Sequence, residues 1–497
     1  MRTISEMLRW RARRHPDLEA IWYQGESTTY GQLNEAASAV AAGLIRELDV
    51  TPGDRVAFLD KNSARSLELI LALDRAGAVA VPVNWRLTAA EVATVVNDAD
   101  PVALVLDEEF RQNADQVNCR ILGFDEVPRD SGAADPRRDD EDAVTWQLYT
   151  SGTTGLPKGA MLTNLNLTAL TGSILFEAPE LHEGGRSLVA MPLYHIGGCG
   201  WALASITCGS TAVVVREFVP QDVLAILADQ KIEVGFLVPA ALLFLTSLPE
   251  SQTADFSSLR NVLYGASPIS PEVLKRSIDT FKCRFTQVYG LTETTGAVVA
   301  LQFEQHEGEK LLSAGRAMYG MDVKVVDAED RDVPHGEIGE IVIRGPGIMK
   351  GYWRRDEDTR AAVRDGWFHT GDAGTMDAEG FIYIKDRIKD MIVSGGENVY
   401  PAEIEGVLAG HPDVADVAVI GVPDDQWGET VKALIVPKPD TEPTAEAILD
   451  WAKERLAGYK RPRSVDFVQA IPRNPSGKIL KRELREPYWA GHERRVS

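Results

Sequence analysis

The chain has 497 residues, 44% hydrophobic and 25% charged, the balance of a globular protein with about two to four domains or subdomains. Its 74 acidic and 52 basic side chains leave a net charge of −22. Such a surface repels nucleic-acid phosphates and gains nothing from anionic lipid, which excludes non-specific binding to either. The four cysteines, Cys119, Cys199, Cys208 and Cys283, have no zinc-like spacing and no disulfide framework, and they fit a reducing cytoplasm.

The opening MRTISEMLRWRARRHPD has no apolar signal core. Thr3 and Glu6 predict a capping box that starts a basic amphipathic helix, laid on the protein's own surface. From residue 23 to 108, apolar runs (RVAFLD, AVAVPVNW, PVALVLD) alternate with helix-like segments (LNEAASAVAAGLIREL, SLELILALDRAG, LTAAEVATVVNDAD). That alternation predicts an α/β domain with a mainly parallel sheet. Residues 125–142, charged and rich in breakers, read as a surface loop.

The stretch YTSGTTGLPKG, residues 149–159, sets Gly152, Gly155 and Gly159 among Thr150, Ser151, Thr153 and Thr154, and adds Lys158. Glycines let backbone N–H groups close around an anion, hydroxyls add donors, and the lysine adds charge. A polyphosphate is the fitting guest, although the spacing matches neither Walker A nor the dinucleotide fingerprint. A flexible linker has a similar composition. The strand-like VTWQLYT before it and the helix-like AMLTNLNLTAL after it favour a phosphate site.

Residues 188–215 are nearly free of charge, but Pro192 and several glycines break them into loop, helix and strand, so no membrane span is expected. His195 in MPLYHIGG reads as a packed wall residue. The strand–helix pattern recurs to residue 281. It places Gly265, Ala266 and Ser267, and then Tyr289, Gly290, Thr292 and Glu293, at the carboxyl ends of strands, where doubly wound sheets bind ligands. Glu293 there suits Mg²⁺, which takes one or two carboxylates plus phosphate oxygens. Residues 321–343 read as a β-rich subdomain. Asp372 in WFHTGD suits a ribose diol or an Asx-turn. A break at 385/386 divides a domain of residues 1–385 from a compact α+β domain of 386–497, in which Lys478 lies in the tight NPSGKILKREL loop.

Six motifs stand in order: YTSGTTGLPKG, VYGLTETTG, GEIGEIVIRGPGIMKGYW, WFHTGD, GFIYIKDRIKDMIVSGGENVYPAEIE and NPSGKILKREL. Together they resemble the adenylate-forming superfamily of acyl- and aryl-CoA synthetases, adenylation domains and luciferases, and most of all bacterial fatty-acyl-CoA ligases. The resemblance spans nearly the whole chain. It implies a large N-terminal domain of mainly parallel αβ sheets with a β-rich subdomain, and a small mobile α+β C-terminal domain. It also implies a carboxylic acid substrate with ATP, Mg²⁺ and coenzyme A. Thr150, Ser151, Gly152, Thr153, Thr154, Gly155 and Lys158 would hold phosphates, Thr292 would contact phosphate, and Glu293 would bind the metal. Gly265, Ala266, Ser267 and Tyr289 would line the adenine slot, and Asp372 and Arg387 would take the ribose. Lys478 would bridge carboxylate and α-phosphate in the first step, and Lys389 would mark the hinge, where many relatives carry Asp. Ser394, Gly395 and Gly396 would face the pantetheine arm. His195, Gly198, Trp201 and Gly290 would border the acyl group.

An amino-acid substrate is disfavoured because GGCGWALASITCG offers no acid to pair an ammonium. The expectation is a cytoplasmic acyl-CoA synthetase acting on medium- to long-chain fatty acids, with aryl or cinnamic-type acids as the alternative. A non-catalytic nucleotide- or carboxylate-binding protein is the reading from a different class. Self-association as a homodimer is left open.

Overall fold

Every second residue of the central strands faces the opposite side of its sheet, and in this chain both sides are apolar. Val56 and Phe58 join one buried cluster while Ala57 and Leu59 join another. Ala212 and Val214 likewise face one cluster while Val213 faces a third. Such strands need helices on both faces. The computed structural model describes residues 2–136, 138–150, 157–394, 397–424, 426–473 and 479–490. It divides into two compact units, Met1–Asp322 with Ile343–Phe368, and Val323–Val342 with His369–Ser497. The boundary read at 385/386 falls inside the second unit.

The first unit holds two sheets. In one, six parallel strands lie in the order Arg284–Leu291, Asn261–Gly265, Val234–Leu237, Arg186–Val189, Thr211–Val214 and Glu19–Tyr23, with antiparallel strands at both edges. In the other, Val144–Thr150, Val79–Pro82, Arg55–Leu59, Ala103–Leu106 and Arg120–Gly123 are parallel. Helices Ile4–Arg14, Tyr30–Glu47, Ala64–Ala76, Asn164–Glu177 and Ile196–Cys208 contribute to the main core together with strands of both sheets. The opening helix is laid on the protein as expected, with Thr3 accepting from the Glu6 N–H. Glu6 reaches back to the Arg2 N–H, 2.7 Å away, rather than to the cap residue.

One element departs from expectation. After the glycine-rich stretch the chain first returns as a strand, Lys158–Thr163, antiparallel to Val144–Thr150, and only then enters the helix Asn164–Glu177. The Thr163 side chain accepts from the Asn166 N–H, and the Asn166 side chain accepts from the Thr163 N–H, which fixes the helix start. The glycine loop is therefore the tip of a hairpin and not a helix N-terminus.

In the second unit, Val414–Asp424 and Gly428–Pro437 pair over their full length, with Ile392–Ser394 and Glu397–Val399 on one side and Ser464–Phe467 on the other. Val417 and Val419 pack toward helices Pro401–Ala409 and Ala445–Arg455. Ala418 and Ile420 face Leu484 and Tyr488 of the helix Lys481–Trp489.

Candidate active site

The hairpin pairs Thr150 with Lys158 and Tyr149 with Gly159, so both ends of the glycine-rich stretch are held. Ser151, Gly152, Thr153, Thr154 and Gly155 lie outside the described residues. The base of the hairpin is braced from below. Tyr149 donates to Asp98 at 2.7 Å and accepts from Gln147, whose Oε1 accepts from Arg55 at 2.9 Å. The Arg55 guanidinium lies 3.2 Å from the centre of the Trp353 ring, and Trp353 Nε1 donates to the Asp98 carbonyl. A Cβ at Gly159 would stand 2.7 Å from the Gln147 amide, so this brace needs glycine there.

Glu293 sits on a short turn after the strand Arg284–Leu291. Thr294 and Thr295 are buried and lock the turn: Thr294 accepts from the Leu291 N–H, and Thr295 donates to the Gly347 carbonyl at 2.6 Å. Thr292 and Glu293 are left half-buried. Thr150 Oγ1 lies 3.5 Å from Glu293 Oε1, which also accepts from the Tyr352 hydroxyl at 2.9 Å. Tyr352 belongs to a strap that pairs with the returning strand of the hairpin, Tyr352 opposite Ala160 and Gly351 opposite Met161. Lys158 Nζ pairs with Asp358 Oδ1 at 2.8 Å and lies 5.3 Å from the Tyr352 ring centre. The structure thus gathers Thr150, Lys158 and Glu293 and adds Tyr352 and Asp358, which the sequence reading did not single out.

Gly265, Ala266 and Ser267 end the strand beside Tyr289, with Gly265 paired to Val288. A Cβ at Gly265 would stand 2.1 Å from the Val288 carbonyl oxygen, and Ala266 takes a φ of +67°. Gly290 lies at a bulge where a Cβ would meet the Gly296 oxygen at 1.8 Å. Only glycine lets these two strand ends come so close.

His195 is half-buried and caps the helix Ile196–Cys208, its Nδ1 accepting from the Gly197 N–H at 3.1 Å. Burial pushes its pKa down to about 4, so the ring is neutral near pH 7 with its proton on Nε2. That is the chemistry of a wall residue. Asn62 holds the same segment, accepting from the Leu193 N–H and donating to the Met191 and Val215 carbonyls. Gly198 packs against the Pro192 carbonyl. Trp201 is buried in the main core and donates to the Leu188 carbonyl at 3.0 Å.

In the second unit, Asp372 and Arg387 stand opposite each other on paired strands and form an ion pair at 2.6 Å. Glu340 grips the segment before Asp372, bonding His369 Nδ1 at 2.8 Å and accepting from the Gly371 N–H. Burial lowers the Lys389 pKa, with Asp390 opposing the shift and Arg387 and Arg485 adding to it. Ser394 ends the strand Ile392–Ser394 opposite Glu397. Gly395, Gly396 and Lys478 lie outside the described residues.

Residues 8–353 match the family described as AMP-binding enzyme, and residues 403–478 match the AMP-binding enzyme C-terminal domain. The chain belongs to the AMP-binding enzyme family. By class this AMP-binding enzyme is an AMP-forming acid–thiol ligase, with the large N-terminal and smaller C-terminal domains that the motifs implied. It is 38% identical over 512 residues to a fatty acid–[acyl-carrier-protein] ligase, ScoC, of Streptomyces coeruleorubidus, covering 100% of this chain and 98% of that one. It is 41% identical over 485 residues to a feruloyl-CoA synthase of an Amycolatopsis species, covering 96% and 97%. Among solved structures it is similar to the o-succinylbenzoate CoA synthetase MenE of Bacillus subtilis in complex with its acyl-adenylate intermediate. There the TM-score is 0.87 and the identity 32%, over 96% of this chain and 97% of that one. Among the described residues no helix is long and apolar enough to cross a membrane.

Proposed function

We propose that this AMP-binding enzyme is an acyl-CoA synthetase. A carboxylate oxygen attacks the α-phosphorus of ATP, the bond to the bridging oxygen breaks, and pyrophosphate leaves. The coenzyme A sulfur, its proton lost to solvent, then attacks the acyl carbon and AMP departs. The observation that carries this reading is the convergence of Thr150, Lys158 and Glu293 at the mouth of a glycine-rich hairpin. A carboxylate and a triphosphate repel, so a site that joins them needs fixed positive charge and donors. Lys158 and the hairpin supply these for the terminal phosphates, and Lys478 would supply the same for the α-phosphate and the acid in the first step.

Glu293 fits Mg²⁺. Among the described residues no three His, Cys, Asp or Glu side chains cluster as a metal cage, and Mg²⁺ asks only for one or two carboxylates beside phosphate oxygens. When bound it neutralises phosphate charge. Tyr352 fixes the rotamer of Glu293, and Thr150 Oγ1 lies beside it. Gly265–Ser267 and Tyr289 would accept the adenine, and Asp372 with Arg387 the ribose hydroxyls. Lys389 is the point about which the chain turns between half-reactions, and Ser394 with Gly395 and Gly396 would then meet the pantetheine arm.

For the acid, a medium- or long-chain fatty acid suits the apolar, glycine-lined segment around His195, whose ring is neutral, and the similarity to the ScoC ligase supports it. A second reading, an aryl or cinnamic-type acid, is supported by the similarity to the feruloyl-CoA synthase. The test is pyrophosphate release across acetate, octanoate, palmitate, benzoate, cinnamate, ferulate, malonate and amino acids, with and without coenzyme A. Turnover with octanoate or palmitate sustains the first reading and turnover with ferulate the second. Silence across the panel overturns both.

A further inference from the structure

We propose that Asp358 is a stand-in for phosphate: it holds the Lys158 ammonium while the site is free of nucleotide, and so sets the affinity for ATP and the ease of pyrophosphate release. This rests on the reading of the hairpin as a phosphate site. The Lys158 side chain is only 12% exposed, and an ammonium taken that far out of water needs an anion. Glu293, the carboxylate nearest the hairpin mouth, is already engaged by the Tyr352 hydroxyl at 2.9 Å. The anion that Lys158 meets is Asp358, at 2.8 Å.

The local backbone is built to bring Asp358 there. It is the third residue of the helix Asp356–Ala362, which follows the strap directly. Thr359 Oγ1 accepts from the Tyr352 N–H at 2.9 Å and donates to the Arg355 carbonyl, which ties the helix to the strap. Gly351, at φ +147°, leaves room that a Cβ would close, 2.8 Å from Thr359 Cγ2. Asp356 and Glu357, on the same turn, are exposed, while Asp358 is half-buried.

The carboxylate and a phosphate compete for one ammonium. A polyphosphate carries more charge and takes Lys158, but the ion pair must break first. As pyrophosphate leaves, Asp358 takes the ammonium back. A partly exposed pair of this kind shifts an equilibrium by about three- to tenfold.

The test uses the full chain. Asp358→Asn lowers the KM for ATP by about three- to tenfold, tightens product inhibition by pyrophosphate to a similar degree, and leaves the KM for the acid unchanged. Asp356→Asn and Glu357→Gln remove the same charge from the same helix without touching Lys158, and leave the KM for ATP as it was. Asp358→Glu restores the wild-type value. On a Lys158→Ala background, Asp358→Asn brings no gain. Titration of ATP into wild type and variant reads the same affinity without turnover, so an inert acid panel and a wrong role for Asp358 give different results. If Asp358→Asn fails to fold, Asp358→Ser replaces it. A well-folded Asp358→Asn with unchanged or weakened ATP affinity overturns the proposal. So does an equal gain from Asp356→Asn or Glu357→Gln.

Discussion

Replacing Tyr352 by Phe isolates one hydrogen bond at the proposed metal ligand. The ring is 8% exposed and packs in the main core, so Phe keeps its contacts and loses only the hydroxyl that reaches Glu293 Oε1 at 2.9 Å. A hydrogen bond to a charged acceptor contributes about 1.5–3 kcal/mol. Glu293 is half-buried, so water replaces part of this and about 1 kcal/mol remains, a factor of about five. Thr150 Oγ1 at 3.5 Å is too far to substitute. The expected phenotype is a rise of about three- to tenfold in the Mg²⁺ concentration for half-maximal pyrophosphate release, with a melting temperature within about 2 °C of wild type. Titrating Mg²⁺ at fixed ATP measures it. An unchanged Mg²⁺ dependence in a folded Tyr352→Phe protein would refute the reasoning.

Acid stability tests the His195 assignment. Its folded pKa of about 4 lies below the ordinary 6.5, so its contribution is fully present above pH 6.5 and is lost as pH falls toward 4, by at most about 3 kcal/mol. His195→Asn keeps a side-chain acceptor for the Gly197 N–H, and denaturant melts between pH 4 and 7 are expected to show a shallower acid loss than wild type. Gly198→Ala puts a Cβ 2.1 Å from the Pro192 carbonyl oxygen, a backbone clash expected to cost at least about 2 kcal/mol. Thermal unfolding checks that value, and an unshifted melting temperature contradicts it. Lys478→Ala is expected to abolish adenylate formation yet spare thioester formation from supplied acyl-AMP. Equal loss of both half-reactions in stopped assays argues against a one-step role.

The parallel sheets were legible because runs such as RVAFLD and ALVL are apolar on both faces, a pattern that only buried strands carry. The hairpin was not. GAMLT is a short apolar run that suits a strand or the first turn of a helix, and only its pairing with WQLYT separates the two. The Thr163–Asn166 reciprocal cap was the available signal for a later helix start. Asp372 and Arg387 were named separately, and cross-strand register makes them a pair. Tyr352 and Asp358 were missed because their partners lie 59 and 200 positions away, beyond the reach of any local pattern. The second unit takes residues 323–342 from far upstream of its main segment, and composition does not reveal such a discontinuous body.

The first strand has a consequence for synthesis. Glu19–Tyr23 lies in the nine-stranded sheet beside Thr211–Val214, with Ile21 opposite Ala212. The Tyr30 hydroxyl donates to the carbonyls of Ile206 and Ser210. Asp74 gathers Ser5, Thr145 and Asn164 around one buried carboxylate. At 5–20 residues per second, roughly 10–40 s pass on the ribosome between the making of Ile21 and of Ala212. For that time the strand has an open edge, the tyrosine lacks its acceptors, and Asp74 waits for most of its donors. The N-terminal two hundred residues form no finished foldon, and nascent chains halted before residue 210 would be good clients for a chaperone that binds exposed strand edges.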